Sequence, residues 1–408
     1  MQKTNNLNGG SLIGGILLVA GCCIGAGMLG LPVLSALAGF KPSVIMFFVS
    51  WLFMVSTGLL LLEVNLWFSD EVSIISMAER TLGLWGKIIG WSGFLFLFYA
   101  LMVAYISGIG ELLSDFYQEL TGIKIPPWLG SLAASLLFGF MIYLGTKAVD
   151  WFNRLLMLGL IVSYSFLVYL GIPHIKSEYL AHSDWSAIFL VIPTMIISFG
   201  FHNMIPTLTT YLKRDVKRLR ITIIVGSLIP LAIYLVWERL ILGLVPVEGI
   251  GGFREALSQG DMATRALKNA IGSSWVVDLA HYFAFFAIVT SFLGVALSFV
   301  DFLADGLQIK KNTQGKMLLC SLVIALPFVF ALIYPKIFLL ALNYAGSFGA
   351  VILFGLLPAA MVWSGRYVRK IEASRLLPGG KPALIAIVLF ALSVIGLQIY
   401  NDIVTRMF

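Results

Sequence analysis

Long apolar runs separated by short charged connectors dominate the chain. Eleven such runs stand near residues 11–38, 42–66, 89–112, 128–146, 152–172, 187–209, 221–244, 275–304, 317–334, 338–363 and 382–401. Each is close to or longer than the roughly 20 residues a helix needs to cross a hydrocarbon core. Lipid cannot hydrogen-bond a peptide group, so runs of this kind cross as helices. The pattern predicts an all-α polytopic membrane protein with about 11 transmembrane helices. It divides into an N-terminal segment (1–10), five spans (11–172), five more (187–363) and an extra C-terminal span (382–401). The first run is expected to be retained rather than cleaved as a signal, because no small-residue cleavage site leads into a polar domain.

Two runs are poor helix sequences. "CIGAGMLGLP" (23–32) holds three glycines and a proline, and "SFGFHNMIP" (198–206) holds a glycine, a histidine and a proline. An offset of 174 places Pro32 on Pro206 and Leu34 on Leu208. In the next span of each half, Glu63 and Glu238 stand 175 residues apart. A near-constant offset across two consecutive spans fits a repeat of five spans. Five is odd, so the second set enters the membrane with opposite polarity, and the repeat is inverted.

Composition agrees with the pattern: 60% of the 408 residues are hydrophobic and 12% charged, with mean hydropathy +0.97. Soluble domains carry about 25% charged residues. With the N-terminus in the cytoplasm, 18 of the 27 Lys and Arg fall on the cytoplasmic side, including Lys3 and the cluster in "YLKRDVKRLR". The net charge of +7 is therefore a topology signal, and no nucleic-acid partner is expected. Cys22, Cys23 and Cys320 match no metal site or disulfide framework, and no cofactor is expected.

A broken helix at membrane depth is tolerated only where protein or a water-filled cavity surrounds it. The half-helix N-terminus after a break offers positive charge to a carboxylate, and freed carbonyls before it suit an ammonium group or a small cation. An α-amino acid supplies both charges on one carbon. Small residues also permit close helix packing, the simpler account of Gly25, Ala26 and Gly27 taken alone. The bulky partner break weighs against packing as the whole explanation.

The motifs "GAGMLGLP", "LLLLEV", "YALMVAYISGIGELL", "VDWFNR", "SFGFHNMIP", "LAHYFAFFAIVTSFLGVALSFVDFLAD" and "NYAG" fall in order from about residue 9 to 400. Together they resemble the bacterial hydroxy and aromatic amino acid permeases, most of all the tyrosine-specific branch. The resemblance implies the amino acid–polyamine–cation (leucine-transporter-like) fold, with two inverted five-helix repeats and discontinuous helices 1 and 6. It implies import of aromatic amino acids, tyrosine first, by symport with H+ or Na+ through the bacterial inner membrane. Tryptophan-selective or broadly aromatic, sodium-coupled transport is the alternative.

On this reading Gly25, Ala26 and Gly27 present backbone to the substrate carboxylate. Ser198, Phe199 and Gly200 present carbonyls to its ammonium group. Phe201 is the first stacking candidate for the ring, with Tyr105 and Phe292 following. His202, Asn203 and Asn343 are candidate partners for a phenol, and His202 is also a candidate proton relay. Glu63 and Glu238 are costly in hydrocarbon and serve either ion coupling or helix tethering. Thr290 and Ser291 raise a sodium site by resemblance, against hydroxyls that bond back to their own helix. Span 5 lacks the lysine that replaces sodium in some proton-coupled relatives of this fold.

Other classes fare worse. An ion channel would show repeated polar rings or a pore motif, and a membrane enzyme a catalytic constellation. Neither HExxH nor GxSxG occurs, and His174 and His182 fall in an external loop.

Overall fold

The structure is a computed structural model that describes residues 10–271, 275–334 and 336–407. All but Gly10 of the N-terminal segment, Lys3 included, lies outside the described residues. The first span is two helices, α1 (Leu12–Cys23) and α2 (Gly27–Ser35), bent by 55° at their junction. The Ser11 hydroxyl accepts from Gly14 N–H at 2.9 Å and starts α1. Next come α3 (Phe40–Trp67) and the short α4 (Ile74–Leu82), which buries Ile74, Met77 and Ala78. Gly83, at φ +73°, makes the single-residue turn into α5.

α5 (Leu84–Thr121) has 38 residues where the apolar run predicts 89–112. At 1.5 Å per residue it is about 57 Å long, well beyond a core of about 30 Å. The charges at Glu111, Asp115 and Glu119 end the apolar run, not the helix, because they find partners on another element. α6 (Pro127–Leu144) and α7 (Thr146–Gly171) complete the first half.

The run 187–209 is not one helix. It contains α8 (Ile192–Ser198), a 3-10 turn at His202–Met204 and α9 (Ile205–Tyr211). Then follow α10 (Val216–Leu244), the connector helices α11 (Phe253–Gln259) and α12 (Ala263–Ile271), α13 (Trp275–Gly306) and α14 (Thr313–Ile333). The tenth span runs through α15 (Phe338–Tyr344), wide π turns over Ala345–Leu356 and α16 (Leu357–Trp363). The chain closes with α17 (Gly380–Met407).

Among the described residues nine helices are long and apolar enough to cross a membrane, or ten with the bent α1–α2 pair. The count of eleven expected from the apolar runs is not reached, because α8 and α9 have only seven residues each. At about 10 Å apiece neither crosses alone. The tenth span and α5 are the most enclosed, with 78% and 72% of their apolar windows buried, against 22% for α14 and 28% for α17. The former lie at the centre and the latter at the periphery, so both breaks abut the most protein-enclosed part of the bundle. There an unwound backbone is affordable.

Candidate functional site

Both breaks leave peptide groups unspent. In the first, Met28 N–H bonds Gly25 O and Leu29 N–H bonds Ala26 O, each at 3.1 Å. Gly25 and Gly27 N–H make no backbone bond among the described residues. In the second, Phe201 N–H turns back on Phe199 O at 2.9 Å, and the chain resumes at Met204 N–H on Phe201 O at 3.0 Å.

The two breaks touch. A Cβ on Gly27 would sit 2.5 Å from Ser198 Oγ, and one on Gly25 would collide with Ser291 Oγ. A side chain at either position would have to push aside the serine hydroxyl that approaches the backbone there. Ser291 Oγ accepts from Ala26 N–H at 3.0 Å and donates to Ala287 O at 2.8 Å, joining α13 to the first break. Tyr105, on α5, turns its hydroxyl to Ser291.

α10 fastens the bend. Tyr234 OH lies 2.5 Å from Cys23 O and 2.7 Å from Ser198 O, the last residues of α1 and α8. Trp237 Nε1–H donates to Met28 O at 2.7 Å, and the Ser35 hydroxyl donates to Glu238 Oε1. One face of α10 thus grips both halves of the first span and the end of α8. Sequence reasoning named Glu238 but missed Tyr234 and Trp237. Their spacing, one helical turn on one face beside a buried acid, was the available signal.

The remaining candidates divide. Of the three carbonyls expected to meet an ammonium group, Ser198 O is held by Tyr234 and Phe199 O by Phe201 N–H, while Gly200 O carries no bond among the described residues. Phe201 is fully buried, with its ring edge close to Gly58, and stacks on His202 at 4.9 Å. His202 Nε2 lies 2.9 Å from the Thr57 hydroxyl, and its buried Nδ1 has no partner. Its ring lies between those of Phe201 and Phe354. Phe292 packs on Phe138 of α6 at 5.9 Å. Asn203 is exposed, and Asn343 has a buried Oδ1 without a partner.

Thr290 donates to Phe286 O at 2.8 Å within its own helix. Glu63 is fully satisfied. It accepts from Arg366 Nε at 2.7 Å, Arg366 Nη2 at 2.6 Å and Leu376 N–H at 2.8 Å. Glu238 Oε2, by contrast, is buried without a donor.

Burial around the breaks is uneven. Met28, Trp237, Phe283 and Phe253, toward the α2 end, are all fully buried. On the side of the N-terminus, Gly21, Cys22, Asn203, Thr207, Gly294 and Ser298 are exposed. Gly21 and Gly294 have open space where a side chain would be.

Two broken spans meeting at the centre of a helical bundle are the geometry of a transporter. The chain matches the model of the tryptophan/tyrosine permease family over residues 8–398. It belongs to that family. The permease is 35% identical to the tyrosine-specific transport system 1 of Haemophilus influenzae, over 87% of this chain and 88% of that protein. It is 30% identical to the tryptophan-specific transport protein of Pseudomonas aeruginosa, over 94% and 93% of the two chains. A crystal structure of MhsT in complex with L-phenylalanine superimposes with a TM-score of 0.61, covering 93% of this chain and 98% of that one. At 14% identity that likeness speaks to the fold alone, which is leucine-transporter-like. This permease is a multi-pass membrane transporter of an aromatic amino acid permease family, not an enzyme.

Proposed function

We propose that this permease imports aromatic amino acids, tyrosine first, by proton symport, with its N-terminus in the cytoplasm of a bacterial inner membrane. The observation that carries the reading is the contact between the two breaks. Gly25 and Gly27 N–H in the first break and Gly200 O in the second are unspent, and Gly27 meets Ser198 across the two. They offer donors to a carboxylate and an acceptor to an ammonium group. The relative named as tyrosine-specific, at 35% identity, supports tyrosine over tryptophan. The two broken spans and their residue offset support an inverted five-span repeat, and exposure on the N-terminal side supports an inward-facing state.

Tyr105, beside Ser291, is the ring contact we favour, with His202 and Asn343 as polar partners for the phenol. Phe201 and Phe292 we assign to packing. Glu238 we assign to proton coupling. It is fully buried, bonds one neutral hydroxyl, and keeps Oε2 without a donor. A bare charge there is costly, and a proton removes it. Glu63, held by Arg366, we assign to tethering α3.

The test is uptake of labelled tyrosine into proteoliposomes under a proton or a sodium gradient imposed separately, with competition by each aromatic amino acid. Saturable uptake driven by protons and best inhibited by tyrosine is expected. Uptake driven by sodium alone, or inhibited best by tryptophan, refutes the corresponding part, and flux that never saturates refutes the carrier mechanism.

A further inference from the structure

The long end of α5 carries Glu111, Asp115 and Glu119 at four-residue spacing, hence on one face. α12 reaches it through ion pairs and packs on α13, α2 and α10, and α11 and α12 together lie as a lid over the second half of the first broken span. Arg265 of α12 is the hub. Its Nη2 is bidentate to Asp115 at 2.9 and 2.8 Å, and its Nη1 lies 3.2 Å from Asp261 and 3.4 Å from Glu111. Lys336, just before α15, reaches the same Asp261 oxygen at 2.9 Å. Three elements that must part for the lid to lift are joined in one cluster.

The cluster does not balance. Glu111, Asp115 and Asp261 supply three negative charges, Arg265 and Lys336 two positive ones. One turn further out, Lys268 answers Glu119 at 2.6 Å, with the His281 ring beside them. The deficit falls on Glu111. It is 1% exposed, has the longest contact to Arg265, and keeps Oε1 buried with no partner.

We infer that Glu111 is a proton-binding site that closes the lid: a proton on its unpartnered oxygen neutralises the cluster and latches α12 to α5. The inference rests on the orientation proposed above, which puts this end outside. The proton comes from the external solution, forms an O–H bond on the Glu111 carboxyl, and returns to the same solution when the lid lifts and water solvates the carboxylate. It is distinct from the proton carried with substrate, because the cluster stays on the sealed side when the inner side is open.

Spin labels at Gln118→Cys on α5 and Ser258→Cys on α11, both exposed positions, report the lid by their separation. The background has Cys22, Cys23 and Cys320 replaced by serine. A single linked proton makes the open-to-closed ratio rise by up to about tenfold per pH unit. We expect that slope between about pH 5 and pH 8, a closed lid at every pH in Glu111→Gln, and a weakened slope displaced to lower pH in Asp115→Asn, where two acids face two cations. A flat wild type overturns the inference whether or not the variants insert. A slope that survives in Glu111→Gln, or is unchanged from wild type in Asp115→Asn, also overturns it. Tyrosine uptake by the labelled protein is read separately. Absent uptake with an intact slope counts against the transport reading and leaves the latch standing.

Discussion

Tyr234→Phe tests whether the two breaks are held in register by a single hydroxyl. Its oxygen lies 2.5 Å from Cys23 O and 2.7 Å from Ser198 O, and the residue is fully buried. The phenylalanine ring keeps the packing on Phe47 at 6.0 Å and Phe199 at 5.3 Å, so only the polar link is lost. Leaving a buried acceptor unpaired costs about 1–3 kcal/mol. One proton serves one carbonyl at a time, so the change totals about 2 kcal/mol rather than twice the larger figure. At about 1.4 kcal/mol per tenfold, that weakens tyrosine binding by up to about 30-fold if the link orders the binding geometry. Equilibrium binding to the purified protein reads this, with thermal stability in detergent measured beside it. Affinity within about twofold of wild type, with unchanged stability, would refute the claim that this hydroxyl organises the site.

Gly27→Leu is expected to insert normally and to abolish uptake, since even a Cβ there would stand 2.5 Å from Ser198 Oγ; uptake by that protein would move the site away from α2. Arg366→Ala leaves Glu63 buried without its cation, a loss of about 3–5 kcal/mol, expected as low yield of folded protein; normal yield and melting would contradict the tether. Ser291→Ala removes the acceptor for Ala26 N–H and should weaken uptake, whereas Thr290→Ala, which loses only a bond within its own helix, should not. Thr207→Cys, exposed beside the second break, should react with a hydrophilic thiol reagent applied from the cytoplasmic side and be protected by tyrosine; equal reaction from either side would argue against a one-sided opening.

The spans and both breaks were legible in the sequence because lipid imposes a simple demand. Apolar runs must be helical, and glycine, proline and polar residues inside one mark where that demand is relaxed. α5 was not legible at full length. A hydropathy reading stops at its first charges, and Arg265, which reaches both Glu111 and Asp115, stands about 150 residues away on α12. A still greater separation hid the partner of Glu63, 303 residues further on. Tyr234 looked like one tyrosine among 14. What sets it apart is a pair of backbone carbonyls, and carbonyls leave no mark in a sequence.

The paired acids show where repeat symmetry stops being informative. Glu63 and Glu238 occupy matching places in the two halves, and the offset alone suggests one shared role. Their surroundings differ in kind. Glu63 meets a guanidinium and a backbone amide that satisfy both oxygens, whereas Glu238 meets one serine hydroxyl and nothing at Oε2. One carboxylate faces a fixed cation, and the other is buried without one. Symmetry of position thus coexists with opposite chemistry. If protons are coupled through this pair, Glu238→Gln should uncouple uptake from the proton gradient while Glu63→Gln should lower the yield of folded protein, and the reverse pattern would sink the assignment.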